Sequence, residues 1–244
     1  MRTSWEEAGW ERLADGVARR RLPHWDATVG VVAGATGVLL VDTGSGLAEG
    51  AELRRQVRGV LGREVSHIAL THPHFDHVLG TAAFAGVTVF GATGMAELLR
   101  REPEALLGDA VRNGADPDAA AEAVDTLVVP QHAVCGERTL DLGDRHVLLA
   151  NVGPGHSAHD LAVCVRGGAG EPEVVFCGDL VEESGEPQAG PDALPACWPA
   201  ALDRLLSLGG EDARYVPGHG AVVDARFVRT QRDELARRFG VSPE

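Results

Sequence analysis

The segment Thr71-His72-Pro73-His74-Phe75-Asp76-His77 puts three imidazoles and a carboxylate into six consecutive positions. It directly follows Ser66 to Leu70, an apolar run that reads as a buried strand. Burying so many polar rings without a cation would carry a large desolvation cost, so packing alone does not account for the cluster. In extended backbone, residues two apart point to the same side, which lets His72 and His74 reach one ion together. Pro73 supports this by biasing His72 toward extended geometry. Asp76 and His77 lie where the chain turns toward a helix expected over Val78 to Ala85, and they project differently. One pair can therefore serve one metal and the other pair a second ion beside it.

Three later segments have the same character. Pro154-Gly155-His156-Ser157 presents a histidine from a glycine-permitted turn after a strand. Phe176-Cys177-Gly178-Asp179 is expected to end another strand on a carboxylate, and Pro217-Gly218-His219-Gly220 to end the last strand on a histidine. All four segments read as strand-to-loop transitions, where rigid elements can deliver side chains to one shared edge.

The remaining chain supplies the scaffold. Thr28 to Ala33 and Val38 to Asp42 read as a hairpin across Gly34-Ala35-Thr36-Gly37. Residues 48 to 61 space Leu53, Val57, Val60 and Leu61 helically and stop at Gly62. Val87 to Phe90 is a further strand. Residues 93 to 123, punctuated by Pro103 and Pro117, suggest two or three short helices: a surface insertion, or alternatively a lid over the site. Strands are expected at Arg138 to Leu142, His146 to Asn151, Leu161 to Val165 and Val174 to Cys177, with a Gly/Pro-rich turn at 167 to 172. A polar loop over 184 to 195, a helix over Pro199 to Leu208, a strand over Arg214 to Val216 and a helix from Asp224 to Arg238 complete the chain. No low-complexity linker divides it. Two β-then-α halves imply one α/β domain over 1–244, its two sheets packed together with helices outside, in four layers.

Composition limits what such a chain does. Its 244 residues are 44% hydrophobic and 24% charged, with a formal charge of −14, which disfavours non-specific nucleic-acid binding. The start at Met1 lacks the basic and apolar pattern of a secretory leader, and no stretch reaches the roughly 18 apolar residues of a membrane span. Cys135, Cys164, Cys177 and Cys197 form no C-x-x-C pair, so they read as free thiols of a cytoplasmic protein. A small-molecule substrate is expected, with neither nucleic acid nor membrane as partner; the oligomeric state stays open.

Taken in order, these motifs resemble the metallo-β-lactamase-fold superfamily: Asp42 in Val41-Asp42-Thr43-Gly44, the 72–77 cluster, His156, Asp179 and His219. The resemblance spans residues 28 to 220 and implies an αβ/βα sandwich with metals at one edge. It implies one ion held by His72, His74 and His156, and another held by Asp76, His77 and His219, with Asp179 bridging them. Asp42 would support the ligand loop without binding metal, since ligating imidazoles donate their second N–H to an acceptor outside. His159 and Asp160 are candidates for the same supporting role or for substrate contact. The implied activity is a dinuclear hydrolase whose metal-bridging hydroxide attacks an ester, thioester or lactone, with Asp76 both ligating and handling the proton. Two divalent ions are implied, zinc by family frequency; imidazole and carboxylate donors also suit iron or manganese.

Within that superfamily the chain is similar to the glyoxalase II and lactonase branch. It ends 25 residues after His219, which leaves no room for the C-terminal domain that grips a glutathione thioester. Superfamily β-lactamases usually lack the bridging aspartate, so Asp179 speaks against antibiotic hydrolysis. The short span from 179 to 219 and the negative charge speak against a nuclease. Two other classes stay open: a mononuclear iron persulfide dioxygenase using two His and one Asp, and a non-catalytic metal-binding module. Of the other residues, His24, His132 and His146 read as surface, His67 as packed, and Cys177 and Tyr215 as core.

Overall fold

The structure, a computed structural model, describes residues 4–168 and 170–241. Met1 to Thr3, where the leader was sought, and Ala169, in the expected 167–172 turn, lie outside the described residues.

The N-terminal half builds a seven-stranded sheet from β1 (Glu11–Ala14), β2 (Val17–Arg21), β3 (Thr28–Ala33), β4 (Val38–Val41), β5 (His67–Ala69), β6 (Thr88–Ala92) and β7 (His132–Val134). These strands lie side by side in chain order. The first four pair antiparallel, and β4 to β7 pair parallel. Parallel neighbours need crossover connections. These are α1 (Leu47–Leu61), then α2 (Phe75–Val78) with a 3-10 turn at Thr81–Ala83, and finally α3 (Met95–Arg101), α4 (Pro103–Arg112) and α5 (Pro117–Asp125).

The C-terminal half is a five-stranded sheet in the order β8 (Glu137–Asp141), β9 (His146–Asn151), β10 (Leu161–Val165), β11 (Val174–Glu182) and β12 (Arg214–His219). Its single parallel pair, β11 with β12, is bridged by α6 (Trp198–Gly209), and α7 (Ala225–Phe239) follows.

Side-chain alternation sorts the core into three slabs. On β3 and β4, Val29, Val31, Val38 and Leu40 face Leu53, Val57 and Leu79 of the first helical layer, together with Leu99 and Leu106 of the inserted helices. Val32, Leu39 and Val41 point the other way, onto Leu149, Leu161, Val163 and Phe176 of the second sheet. The far face of that sheet meets Trp198, Leu202, Leu205, Val228 and Leu235 of α6 and α7. A strand buried on both faces reads as a continuous apolar run, and Val38-Leu39-Leu40-Val41 is one. The result is the mixed α/β, four-layer sandwich expected from the sequence. No helix among the described residues is long and apolar enough to cross a membrane.

Three expectations need correction. The helix sought over Val78 to Ala85 is only α2 and the 3-10 turn. Gly80 passes so close to the Thr43 carbonyl that a Cβ there would overlap it. The bonds from Thr43 N to His77 O (2.8 Å) and from Gly80 N to Gly44 O (3.2 Å) pull the chain out of helical geometry. Second, β11 does not stop at Cys177. It runs through Asp179 to Glu182, with the register slipping at Gly178, whose φ is +53°. Third, β1, β2 and β7 were not anticipated. Val17-Ala18-Arg19-Arg20-Arg21 looks too polar for a strand, but Arg19 is buried because its guanidinium donates to Glu11 and to the Gly220 carbonyl.

Candidate metal centre

All seven anticipated ligand positions converge on the edge where the C-terminal ends of β5, β11 and β12 meet the loops after β5 and β9. His74 is extended (φ −86°, ψ 152°), so it and His72 present their rings to one space, with centroids 4.7 Å apart. Asp76 and His77 sit on α2 and turn toward His219, whose ring centroid is 5.5 Å from that of His77. His156 completes the other side, 4.9 Å from His72 and 4.7 Å from His74. The donors divide into two groups, each within 4.8 Å of one another: His72, His74, His156 and Asp179, and then Asp76, His77 and His219. Asp179 lies between them. One or other of its oxygens is 3.5 Å from His72 and His156, and 3.3 Å from His77 and His219.

Every imidazole has one nitrogen turned outward to an acceptor. His72 Nδ1 donates to Thr71 Oγ1 (2.9 Å), which in turn donates to Asp42 Oδ2 (2.7 Å). His77 Nδ1 donates to the same Asp42 oxygen at 2.9 Å, and Asp42 Oδ1 accepts the Thr71 amide at 2.7 Å. His156 Nδ1 donates to the Gln188 carbonyl (3.1 Å), His219 Nδ1 to the Trp25 carbonyl (2.8 Å), and His74 Nε2 to Asp192 (3.0 Å). In a neutral ring so held, the outward nitrogen carries the proton and the inward nitrogen offers a lone pair. The inward nitrogens of His74 and His156 are only 2.9 Å apart. Two lone pairs at that distance repel unless a proton or a cation sits between them.

The same demand shows in the buried atoms. His72 Nε2, His77 Nε2 and Asp179 Oδ1 are sequestered without any hydrogen-bond partner. Such groups are costly in a native interior unless something else satisfies them. Five aromatic nitrogens and two carboxylates converging on one space fit divalent cations of the zinc, iron or manganese type. Burial pushes His72 and His156 down to about 3, so both stay neutral and ready to ligate. Burial also opposes protonation of His219, but Asp179 outweighs it and raises the ring to about 9. His77 is raised as well, with Asp76, Asp179 and Asp42 overcoming its burial. Asp179 is held well below the usual carboxylate range, since the imidazoles of His72, His77 and His219 overcome its desolvation.

Gly218 is required here for close approach: a Cβ at that position would fall onto Asp179 Oδ1. Asp160 touches no ligand ring. It is buried, accepts the Ser157 amide and hydroxyl (3.0 and 2.7 Å) and so pins the turn that carries His156; burial lifts its carboxyl to about 7. His159 donates to the Thr93 carbonyl (2.9 Å) and ties that turn to the start of the helical insertion. Cys177 and Tyr215 are core residues, His24, His132 and His146 are exposed, and His67 is half-buried against Phe90. The four cysteines are free thiols. Sequence reading missed Asp192, Thr71 and the carbonyls of Gln188 and Trp25. Thr71, next to His72, was open to inspection; nothing local distinguishes Asp192 within its polar loop.

A family profile described as the Metallo-beta-lactamase superfamily matches residues 23–219. The chain belongs to this superfamily. Family and fold together support a metal-dependent hydrolase. Solved structures of the same fold include the metallo-beta-lactamase FIM-1 from Pseudomonas aeruginosa in its mono-zinc form, 21% identical over 96% of each chain with a TM-score of 0.70. A metallo-beta-lactamase from Pontibacter korlensis is 22% identical over 92% of this chain and 98% of its own, with a TM-score of 0.68. TMB-1 is 20% identical over 94% and 97%, with a TM-score of 0.69. No curated protein matches the sequence.

Proposed function

We propose that this superfamily member is a dinuclear metal-dependent hydrolase of a small ester, thioester or lactone, from the glyoxalase II and lactonase branch. The observation that carries this reading is the pair of three-donor sets sharing Asp179, each imidazole aimed inward by a hydrogen bond behind it. His72, His74 and His156 would hold one ion, Asp76, His77 and His219 the other, with Asp179 common to both and zinc the first candidate. When bound, such ions supply a water that deprotonates near neutral pH and polarise the oxygen of the acyl group.

The chain's own residues do the rest. Asp76 Oδ2, 3.5 Å from His77 Nε2 and 3.4 Å from His219 Nε2, stands where it can orient the water and accept its proton. The Asp42–Thr71 pair fixes the rings of His72 and His77, and the 186–192 segment fixes those of His74 and His156. The four free thiols fit a reducing compartment, and we place the protein in the cytoplasm.

Metal analysis with a panel of esters, thioesters, lactones and β-lactams tests the reading. Two metals per chain and hydrolysis without oxygen uptake support it, and Asp76→Ala or His74→Ala should abolish turnover. Near-full turnover in either variant with metal supplied would overturn it. So would one iron per chain with oxygen consumption, which belongs to a dioxygenase.

A further inference from the structure

The exposure of the imidazoles locates the mouth of the centre. Side chains of His72, His77 and His156 are 1%, 0% and 5% exposed, whereas His74 and His219 are 23% and 13% exposed. A substrate therefore approaches past His74 and His219, and both are flanked by carboxylates. Asp192, 42% exposed, sits on His74. Beside His219, Asp26 accepts the Gly220 amide at 3.2 Å and Glu183 accepts the Ala221 amide at 2.6 Å.

The cations of this rim are already spent. Arg21 is bidentate to Asp26 at 2.6 and 2.5 Å. Arg19 is buried on Glu11 and the Gly220 carbonyl. Arg238 is paired with Glu186 at 3.1 Å and donates to the Pro187 carbonyl at 2.9 Å. No Lys or Arg occurs between Arg166 and Arg204, the stretch that carries Asp179, Glu182, Glu183, Glu186 and Asp192. Nor does a filled centre reverse the balance: Asp42, Asp76 and Asp179, with the hydroxide such ions would generate, offset the four charges of two divalent ions, so Asp192 and Glu183 stay in excess. Fields of this kind raise the local concentration of one sign of ligand and repel the other.

Resting on the hydrolase reading above, we propose that the substrate carries no negative charge near its scissile bond: it is an uncharged or cationic ester, thioester or lactone. A carboxylate on the acyl part would meet Asp192 and Glu183 with no free guanidinium to receive it. A matched series of p-nitrophenyl esters whose charged group cannot reach its own carbonyl tests this: benzoate, 4-(trimethylammonio)benzoate and 4-carboxybenzoate, assayed from low to high salt. It is paired with calorimetric titration of the metal-loaded protein with non-hydrolysable ketone analogues of the same three charges.

The expected kcat/KM for the 4-carboxybenzoate is at least tenfold below that for the benzoate at low salt, with the gap narrowing as salt rises. The ketones should bind in the same order. The double variant Asp26→Asn/Glu183→Gln keeps both amide acceptors, and asparagine tolerates the left-handed backbone at position 26 (φ +61°). It frees Arg21, so the ratio of neutral to anionic kcat/KM should shrink about threefold to tenfold, and an unchanged ratio would overturn the proposal. An anionic ester or ketone equal to or better than the neutral one would overturn the proposal. Should no ester of any charge be hydrolysed, the hydrolase reading falls and the ketone titration alone decides the charge preference.

Discussion

Each ligand ring here is aimed by a different kind of partner, and the partners have different consequences. Asp192 is a half-exposed carboxylate held at about 2, where its hydrogen bond and charge attraction to His74 overcome its burial. Asp192→Asn keeps an acceptor but removes the charge that makes the imidazole more basic. Loss of such a partner costs metal affinity about 10–100-fold. Competition against a chromogenic chelator should show that loss for one metal of the two, with little change in melting temperature; an unchanged titration would exclude the role. His219 sets a pH dependence. In the metal-free protein its proton leaves at about 9, so at pH 7.5 metal must displace that proton. Titrations in buffers of different ionisation enthalpy should show net proton release, and affinity should fall as pH drops below about 9. The linkage to folding has the opposite sense. A proton held more tightly in the fold than its ordinary 6.5 stabilises fully below 6.5, and that contribution is lost as pH rises toward 9. Chelated protein should melt lower across that window, and metal-loaded protein should not follow it.

At the scale of elements, the bulge in β11 and the close pairing of β11 with β12 decide whether Asp179 can serve both donor sets. The strand continues past Cys177 because β12 runs parallel beside it, with Gly178 opposite Pro217 and Glu182 opposite His219. Gly218 lets the two strands approach within the radius of a side chain. Gly218→Ala should therefore fold, since the sheet's apolar faces are untouched, but it should push the Asp179 carboxylate aside. The expected result is metal content reduced by at least half, with the far-ultraviolet circular dichroism unchanged. Full metal content in that variant would mean Asp179 has another way in. The inserted helices α3 to α5 bury Leu99, Leu106, Ala110 and Ala120 in the first helical layer. They meet the ligand region through His159 on Thr93 and through Trp25, whose indole donates to the Asn113 carbonyl at 3.1 Å and packs edge-on to Phe75 at 5.3 Å.

At the scale of the whole molecule, the centre joins the two halves. His72, His74, Asp76 and His77 come from the seven-stranded half, and His156, Asp179 and His219 from the five-stranded half. Ions bound there would cross-link the sheets only in the folded state, so binding adds directly to stability. At a free metal concentration of about 1,000 Kd the gain is about 4 kcal/mol. For a chain of this size that shifts the melting temperature upward by about 8–16 °C. Calorimetry of chelated and reloaded protein checks the figure, and a shift under about 2 °C would mean that the halves are held by the inter-sheet core alone.

The sequence by itself determined the chemistry of the centre and the alternation that makes the layers. Its seven candidate ligand positions are side chains in short motifs, next to the Pro and Gly residues that shape their turns, so the motifs and their resemblance to a family mark them without a structure. Val29 to Val41 likewise shows two buried faces in its own composition. Only the tertiary structure decided how those ligands are aimed and what surrounds them. The Gln188 and Trp25 carbonyls have no residue identity to read, Asp192 lies 118 positions from the ring it holds, and Arg19 is strand-compatible only because Glu11 and Gly220 meet it across the fold. The acidic mouth belongs to the same class. Charges far apart in the chain act on one substrate because folding sets them at one opening, and distance in space, not in sequence, governs their Coulomb energy.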